Sequence, residues 1–163
     1  TTVRGQVSAV DGINLTIPSG KIVGIAGESG CGKSTLIKVI YGNLSYPLAL
    51  TTGDVEYDFT DRSGQPVTSK NIKDYWFKRI SYIPQSSMNS LNPVVRIRKQ
   101  FLDFLDGERY HPGVLDEIRE YVKSLDLPPE SIDAYPHQLS GGMRQRIMVA
   151  MGTFFKPDII LEE

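Results

Sequence analysis

The chain has 163 residues, 40% hydrophobic and 23% charged, with a formal net charge of −1. That balance suits one globular domain with its own core and excludes compositional disorder; no apolar run approaches the roughly 18 residues a membrane helix needs, and the net charge argues against a general nucleic-acid surface. The single cysteine, Cys31, excludes an intramolecular disulfide, so no oxidising compartment is required and a cytoplasmic location is expected.

Taken in order, Ile13, Leu15 and Ile17 alternate with Asn14 and Thr16, and Pro18-Ser19-Gly20 supplies turn chemistry ahead of the apolar run Ile22-Val23-Gly24-Ile25-Ala26. These stretches predict a β-hairpin whose second arm is a buried parallel strand. It leads into Gly27-Glu28-Ser29-Gly30-Cys31-Gly32-Lys33-Ser34-Thr35, which fits the phosphate-loop pattern G-x-x-x-x-G-K-[ST]. Leu36, Ile37 and Ile40 then have the spacing of a helix that ends near Gly42. Strand, loop and helix together predict an anion nest: the glycines let the backbone curl its N–H groups towards one centre, and the helix adds the positive end of its dipole. Lys33 is placed to reach the β- and γ-phosphates of a nucleotide, and the Ser34 hydroxyl to ligate magnesium.

Val55, Tyr57 and Phe59 alternate with acidic residues and predict a half-exposed antiparallel strand, followed by a turn at Asp61-Arg62-Ser63-Gly64 and a short helix over 71–78. Ile80-Ser81-Tyr82-Ile83 predicts a strand ended by Pro84, and the next residue is Gln85. From there the chain turns to helices and prolines. Ile97, Phe101, Phe104 and Leu105 form one apolar face that stops at Asp106-Gly107, and Leu115, Ile118, Val122 and Leu125 form another. The basic cluster Arg96, Arg98 and Lys99 reads as a solvated helix face. Met143, Ile147, Met151 and Phe154 mark a third helix opening after Ser140 and closing before Pro157, and Ile159-Ile160-Leu161 begins a buried strand. A start at Thr1 and a stop just inside a strand lead one to expect an incomplete chain.

Leu139-Ser140-Gly141-Gly142-Met143-Arg144-Gln145-Arg146 resembles the signature sequence of ATP-binding-cassette (ABC) ATPases. Ser140 is a helix N-cap and the two glycines leave backbone N–H groups bare, a second anion site at a helix start. The resemblance implies a head-to-tail dimer with two ATP molecules, each held between one subunit's phosphate loop and Ser140, Gly141 and Gly142 of the other. Ile83 to Pro93, together with Tyr135-Pro136-His137-Gln138-Leu139, looks like the ATPase subunits of oligopeptide, dipeptide and nickel importers, a branch whose relatives also carry oligosaccharides. By resemblance, Gln85 is the hinge glutamine that reaches magnesium or the attacking water.

The implied architecture is an α/β P-loop NTPase fold over residues 1–163, read as a single incomplete domain. It has a mostly parallel core sheet, a small antiparallel β-subdomain and a helical subdomain at residues 86–137. The implied assembly is a homodimer or a heterodimer with a second ATPase subunit. Membrane permease subunits would contact the Gln85–Pro93 region, and an extracytoplasmic solute-binding protein would act indirectly. The whole would lie peripherally on the cytoplasmic face of the membrane, with ATP and Mg2+ bound and no nucleic acid.

Three departures bear on chemistry. The family's run of four apolar residues followed by Asp-Glu is here Ile159-Ile160-Leu161-Glu162-Glu163, so Glu163 is either the catalytic glutamate in altered context or a residue without function. The switch histidine is not present, since His111 and His137 both precede the third helix, and no adenine-stacking aromatic is evident in Thr1 to Ala9. Two rivals stay open: a DNA-maintenance ATPase of the same class, and a nucleotide-binding fragment without turnover.

Overall fold

Two units make up the chain, residues 1–74 and 75–163, and the computed structural model describes residues 7–61, 64–85, 90–105 and 110–163.

In the first unit the phosphate loop runs into helix α1 (Lys33–Tyr41), which opens at Gly32 with φ 102° and closes at Gly42 with φ 70°. The closing turn is tied by Gly42 N–H donating to the Val39 carbonyl and Asn43 N–H to the Lys38 carbonyl, both at 3.0 Å, the paired bonds of a left-handed C-terminal cap. A Cβ on Gly42 would lie 2.2 Å from Ile72 Cγ2, so packing as well as conformation selects glycine there. Strands β1 (Glu56–Thr60) and β2 (Pro66–Thr68) pair antiparallel, with Tyr57 opposite Val67. These two point inward and are buried, and the Tyr57 hydroxyl donates to the Ile40 carbonyl at the end of α1.

The predicted β1 strand, the turn at Ser19-Gly20 and the helix ending before Gly42 are all present. Strand β2 was not anticipated, because three residues beginning with proline are too few to show a period; proline fits the first residue of an edge strand, where no ladder donor is needed. Arg62 and Ser63 of the predicted turn lie outside the described residues. The helix expected over 71–78 shrinks to a 3₁₀ turn, Ile72–Tyr75, because the Asn71 side chain accepts the Thr68 N–H at 2.8 Å and Phe77 adopts φ 60°.

The predicted hairpin is corrected by the structure. Residues 13–17 and 22–26 are not strands, and Ile13, Leu15, Ile17, Ile22, Val23 and Ile25 are exposed. A strand exists through ladder bonds to a neighbour, and among the described residues no strand pairs with either segment. Alternation marked which residues suit a sheet but supplied no partner.

The second unit holds the larger core. Strands β3 (Ile80–Ile83) and β4 (Ile159–Glu162) are parallel, with Ile80 opposite Ile159 and Tyr82 opposite Leu161. Between them in sequence come α2 (Ile97–Leu102), α3 (Val114–Ser124), the 3₁₀ turns Pro129–Asp133 and Pro136–Gln138, and α4 (Gly141–Thr153). Ile97, Phe101, Ile118, Val122, Ile132 and Ile147 are fully buried in one cluster, which realises the predicted apolar faces of all three helices. Helix α2 is shorter than its apolar face, and the expected stop at Asp106-Gly107 lies outside the described residues. Gly152 of α4 presses on β3: a Cβ there would be 2.7 Å from Ile83 Cγ1 and 3.4 Å from Ser81 Oγ. Asp158 and Arg79 form an ion pair at the opening of the two strands.

The basic cluster has partners inside the unit. Arg98 bridges Asp133 at 2.7 Å, Lys99 pairs with Asp103 one turn on, and Arg96 donates to the Asp133 carbonyl while its guanidinium lies 4.9 Å from the Tyr135 ring centre. Paired cations on an exposed helix face carry little energy each but leave less charge for a polyanion.

Candidate functional site

The loop Gly27–Thr35 is in the first unit, and its shape is set by glycine. Gly30 sits at φ 82° and Gly32 at φ 102°, values that a side chain resists. A Cβ on Gly32 would also meet the Ala9 carbonyl oxygen at 2.4 Å, and one on Gly27 the Cys31 sulfur at 2.9 Å. The loop is therefore closed over itself at Gly27 and held from behind at Gly32. Helix α1 begins at a glycine N-cap that supplies no side-chain hydrogen bond, and a helix start of that kind is one an anion can use.

Lys33 has a role that the pattern alone did not disclose. Its ammonium donates to the carbonyls of Gly27 at 2.7 Å and Glu28 at 2.6 Å, and lies 3.6 Å from the Cys31 sulfur. An ammonium has three donors, and here they grip the loop that precedes the lysine. Thioether and thiol sulfurs are weak acceptors, so the third contact is the one a phosphate oxygen displaces at least cost. Positive φ at Gly30, the uncapped helix start and a lysine over the loop together fit a bound polyphosphate. Ser34, the magnesium ligand expected from the sequence, lies in the first turn of α1.

Ser140, Gly141 and Gly142 are in the second unit. Ser140 takes an extended conformation, φ −64° and ψ 164°, and its hydroxyl accepts the Met143 N–H at 3.3 Å, so it is the N-cap of α4. Gly142 is exposed, its φ is not left-handed, and a Cβ there would meet nothing within 4 Å. Neither strain nor crowding within the chain asks for glycine at that position, and its bareness faces outward.

Gln85 is exposed just beyond β3, after Pro84. Glu163 follows β4, and its N–H donates to the Ile83 carbonyl at 3.1 Å, which sets it beside the same strand end. Gln85 and Glu163 are thus brought to one edge, the C-terminal end of a parallel pair, where α/β folds collect their ligands. The Glu163 carboxylate accepts from the Tyr82 hydroxyl at 2.5 Å. Burial, and then the adjoining carboxylate, push the Tyr82 phenol up to about 12, so it stays a donor across the working range. Sequence reading placed Tyr82 in a strand without a role; its signal was a hydroxyl that needs a partner when half buried. Ser86 to Asn89 lie outside the described residues, as do Thr1 to Gln6. Of the two histidines, His137 stacks on Tyr135 and His111 lies 3.6 Å from Glu117.

A family model described as "ABC transporter" matches residues 10–162 of this chain. The chain belongs to the ABC transporter family. Curated relatives of the cassette include the dipeptide transport ATP-binding protein DppD of Caldanaerobacter subterraneus subsp. tengcongensis, 31% identical over 162 residues that make up 97% of this chain and 49% of that protein. The oligopeptide transport ATP-binding protein OppD of Salmonella typhimurium is 33% identical over 171 residues, 99% of this chain and 49% of that one. The cassette spans about half the length of the curated relatives it matches. Among solved structures, the dimeric bacterial ABC transporter cassette MJ0796 superposes with a TM-score of 0.73 at 25% identity, covering 94% of this chain and 65% of that one. The same cassette in a post-hydrolysis state with ADP and Pi gives a TM-score of 0.72. These neighbours establish the α/β P-loop fold expected from the sequence. No helix among the described residues is long and apolar enough to cross a membrane.

Proposed function

We propose that the cassette binds and hydrolyses ATP to energise peptide import through partner membrane subunits. The observation that carries this reading is the phosphate loop: a glycine-shaped turn with Lys33 seated over it, running straight into an uncapped helix start. Dipeptide and oligopeptide transport proteins among the relatives support the choice of cargo over nickel or oligosaccharide.

In this reading Gly27, Glu28, Ser29, Gly30, Cys31 and Gly32 wrap the phosphates with backbone N–H groups, Lys33 exchanges its sulfur contact for a γ-phosphate oxygen, and Thr35 continues the helix start beneath. Ser34 and Gln85 would hold the magnesium ion, which would supply neutralisation of the phosphate charge. Glu163 polarises the attacking water, and Gln85 orients it. Ser140, Gly141 and Gly142 of the partner subunit close over the γ-phosphate, a role that the outward-facing bareness of Gly142 supports. Most of the rate enhancement is positioning and charge, since phosphoryl transfer asks for little covalent help. Residues 1–163 then act as a single ATPase domain with a helical subdomain at 86–137, peripheral to the membrane on its cytoplasmic face. The permease would meet the Gln85–Pro93 region.

Phosphate release measured with and without the membrane subunits tests the proposal. Stimulation by the permease is expected. Stimulation by duplex DNA instead would favour a DNA-maintenance ATPase, and tight binding without release would leave a nucleotide-binding module.

A further inference from the structure

Beside Gln85 and Glu163, at the same end of the β3–β4 pair, stands Tyr82, a polar side chain with no role in the reading above. In the β3–β4 ladder Tyr82 stands opposite Leu161, so the two side chains leave the sheet on the same face. Side chains return to a face every second residue, which puts Glu163 on that face as well. Ser81 and Ile83, the residues on the other face, are covered by α4 at Gly152. Tyr82 and Glu163 therefore share the face turned away from α4, and the 2.5 Å hydrogen bond between them follows from the register.

Glu163 is pinned twice. Its backbone is pinned by its N–H on the Ile83 carbonyl at 3.1 Å and its carboxylate by the Tyr82 hydroxyl. A glutamate side chain has three rotatable bonds, and a carboxylate that must hold one water in line gains from any contact that limits them. We infer that Tyr82 is a positioning residue for turnover, its hydroxyl holding the Glu163 carboxylate in place at the C-terminal edge of the ladder. The donor touches Glu163, and its effect on the water is transmitted through that carboxylate. Tyr82 matters to turnover only if Glu163 polarises the water, so this reading rests on the one proposed above.

The test is a double-mutant cycle in the full chain, read as single-turnover hydrolysis and as KM for MgATP. Tyr82→Phe removes one oxygen and keeps the ring. The expected result is a roughly tenfold fall in kcat with KM changed less than about twofold, the signature of a group felt only in the reacting state. In a Glu163→Gln background, where the residual rate is followed over a longer time, the same Tyr82→Phe change is expected to do nothing, because a residue acting through another loses its effect when that other is gone. A general loosening of the β3–β4 pair would lower the rate in both backgrounds and disturb KM, and that outcome overturns the positioning role. If Glu163→Gln abolishes turnover while Tyr82→Phe leaves kcat intact, Tyr82 is refuted and Glu163 stands. If Glu163→Gln leaves turnover intact, the catalytic reading of Glu163 fails and Tyr82 falls with it. Tyr82→His, which keeps a ring N–H donor, should recover part of the rate if the bond and not the packing is what matters.

Discussion

Lys33 grips its own loop before it grips a phosphate, and this shapes what its removal should do. Lys33→Ala deletes the donors to Gly27 and Glu28 as well as the charge facing the phosphates. Hydrogen bonds to charged groups contribute about 1.5–3 kcal/mol each, so MgATP affinity should fall at least about tenfold by isothermal titration. Unchanged affinity in a folded variant would refute the phosphate-loop assignment. Cys31 offers a second readout. Its sulfur lies beside the Lys33 ammonium and against Gly27, so a maleimide there should block nucleotide binding, and MgATP should slow the labelling. Equal labelling rates with and without MgATP would make Cys31 a bystander.

Tyr41 and Tyr57 belong to the same scale. Burial raises both phenols above their usual range, and the nearby Asp54 charge adds to the effect on Tyr57. The Tyr57 hydroxyl also donates to the Ile40 carbonyl, which a phenolate cannot do. The folded state therefore holds these protons longer than the unfolded state. Their contribution is complete below about pH 10 and is lost as pH rises through the folded values. Urea midpoints of the first unit should accordingly hold up to about pH 10 and fall as pH rises beyond it. In Tyr57→Phe that part of the fall should be smaller; a fall equal to that of the parent would assign it elsewhere.

Helix α4 links the signature to the strand pair, with Ser140 at its start and Gly152 against β3 near its end. Gly152→Leu places atoms inside the space of Ile83, where overpacking typically costs about 1–3 kcal/mol. A drop in the melting temperature of the second unit would show it, and an unchanged melt would mean that α4 can lift off β3. Ser140→Ala removes the Met143 N–H bond and should cost about 1 kcal/mol, whereas Ser140→Asp keeps a cap. Both should lose partner-dependent turnover if the hydroxyl also serves a second subunit's nucleotide.

At the scale of the whole molecule the proposed sandwich predicts ATP-driven dimerisation, and the similar MJ0796 cassette is dimeric. Ser140→Arg should leave MgATP binding by one subunit intact and abolish the dimer in sedimentation with a Glu163→Gln background, while the unsubstituted signature remains dimeric in ATP. A monomer in ATP for both would contradict the sandwich.

The loop, the helix starts and the helix faces were legible in the sequence because each depends on residues close together along the chain. Glycines at fixed offsets permit a turn, Ser140 caps the helix it precedes, and Ile118 and Val122 fall on one side of α3 through its own period. Strand pairing was not legible, because a ladder bond joins residues far apart and alternation says nothing about which neighbour will be there. That is why 22–26 read as a buried strand and is exposed, and why three-residue β2 went unseen until Tyr57 met Val67. Only the tertiary structure decided that Lys33 donates back into its loop, that Gly32 lies close against the Ala9 carbonyl, and that Tyr82 and Glu163 share a face. The Ala9 approach and the Tyr82–Glu163 pairing are set by distant backbone and by register, quantities that no local pattern encodes, and the Lys33 contacts by the folded shape of the loop.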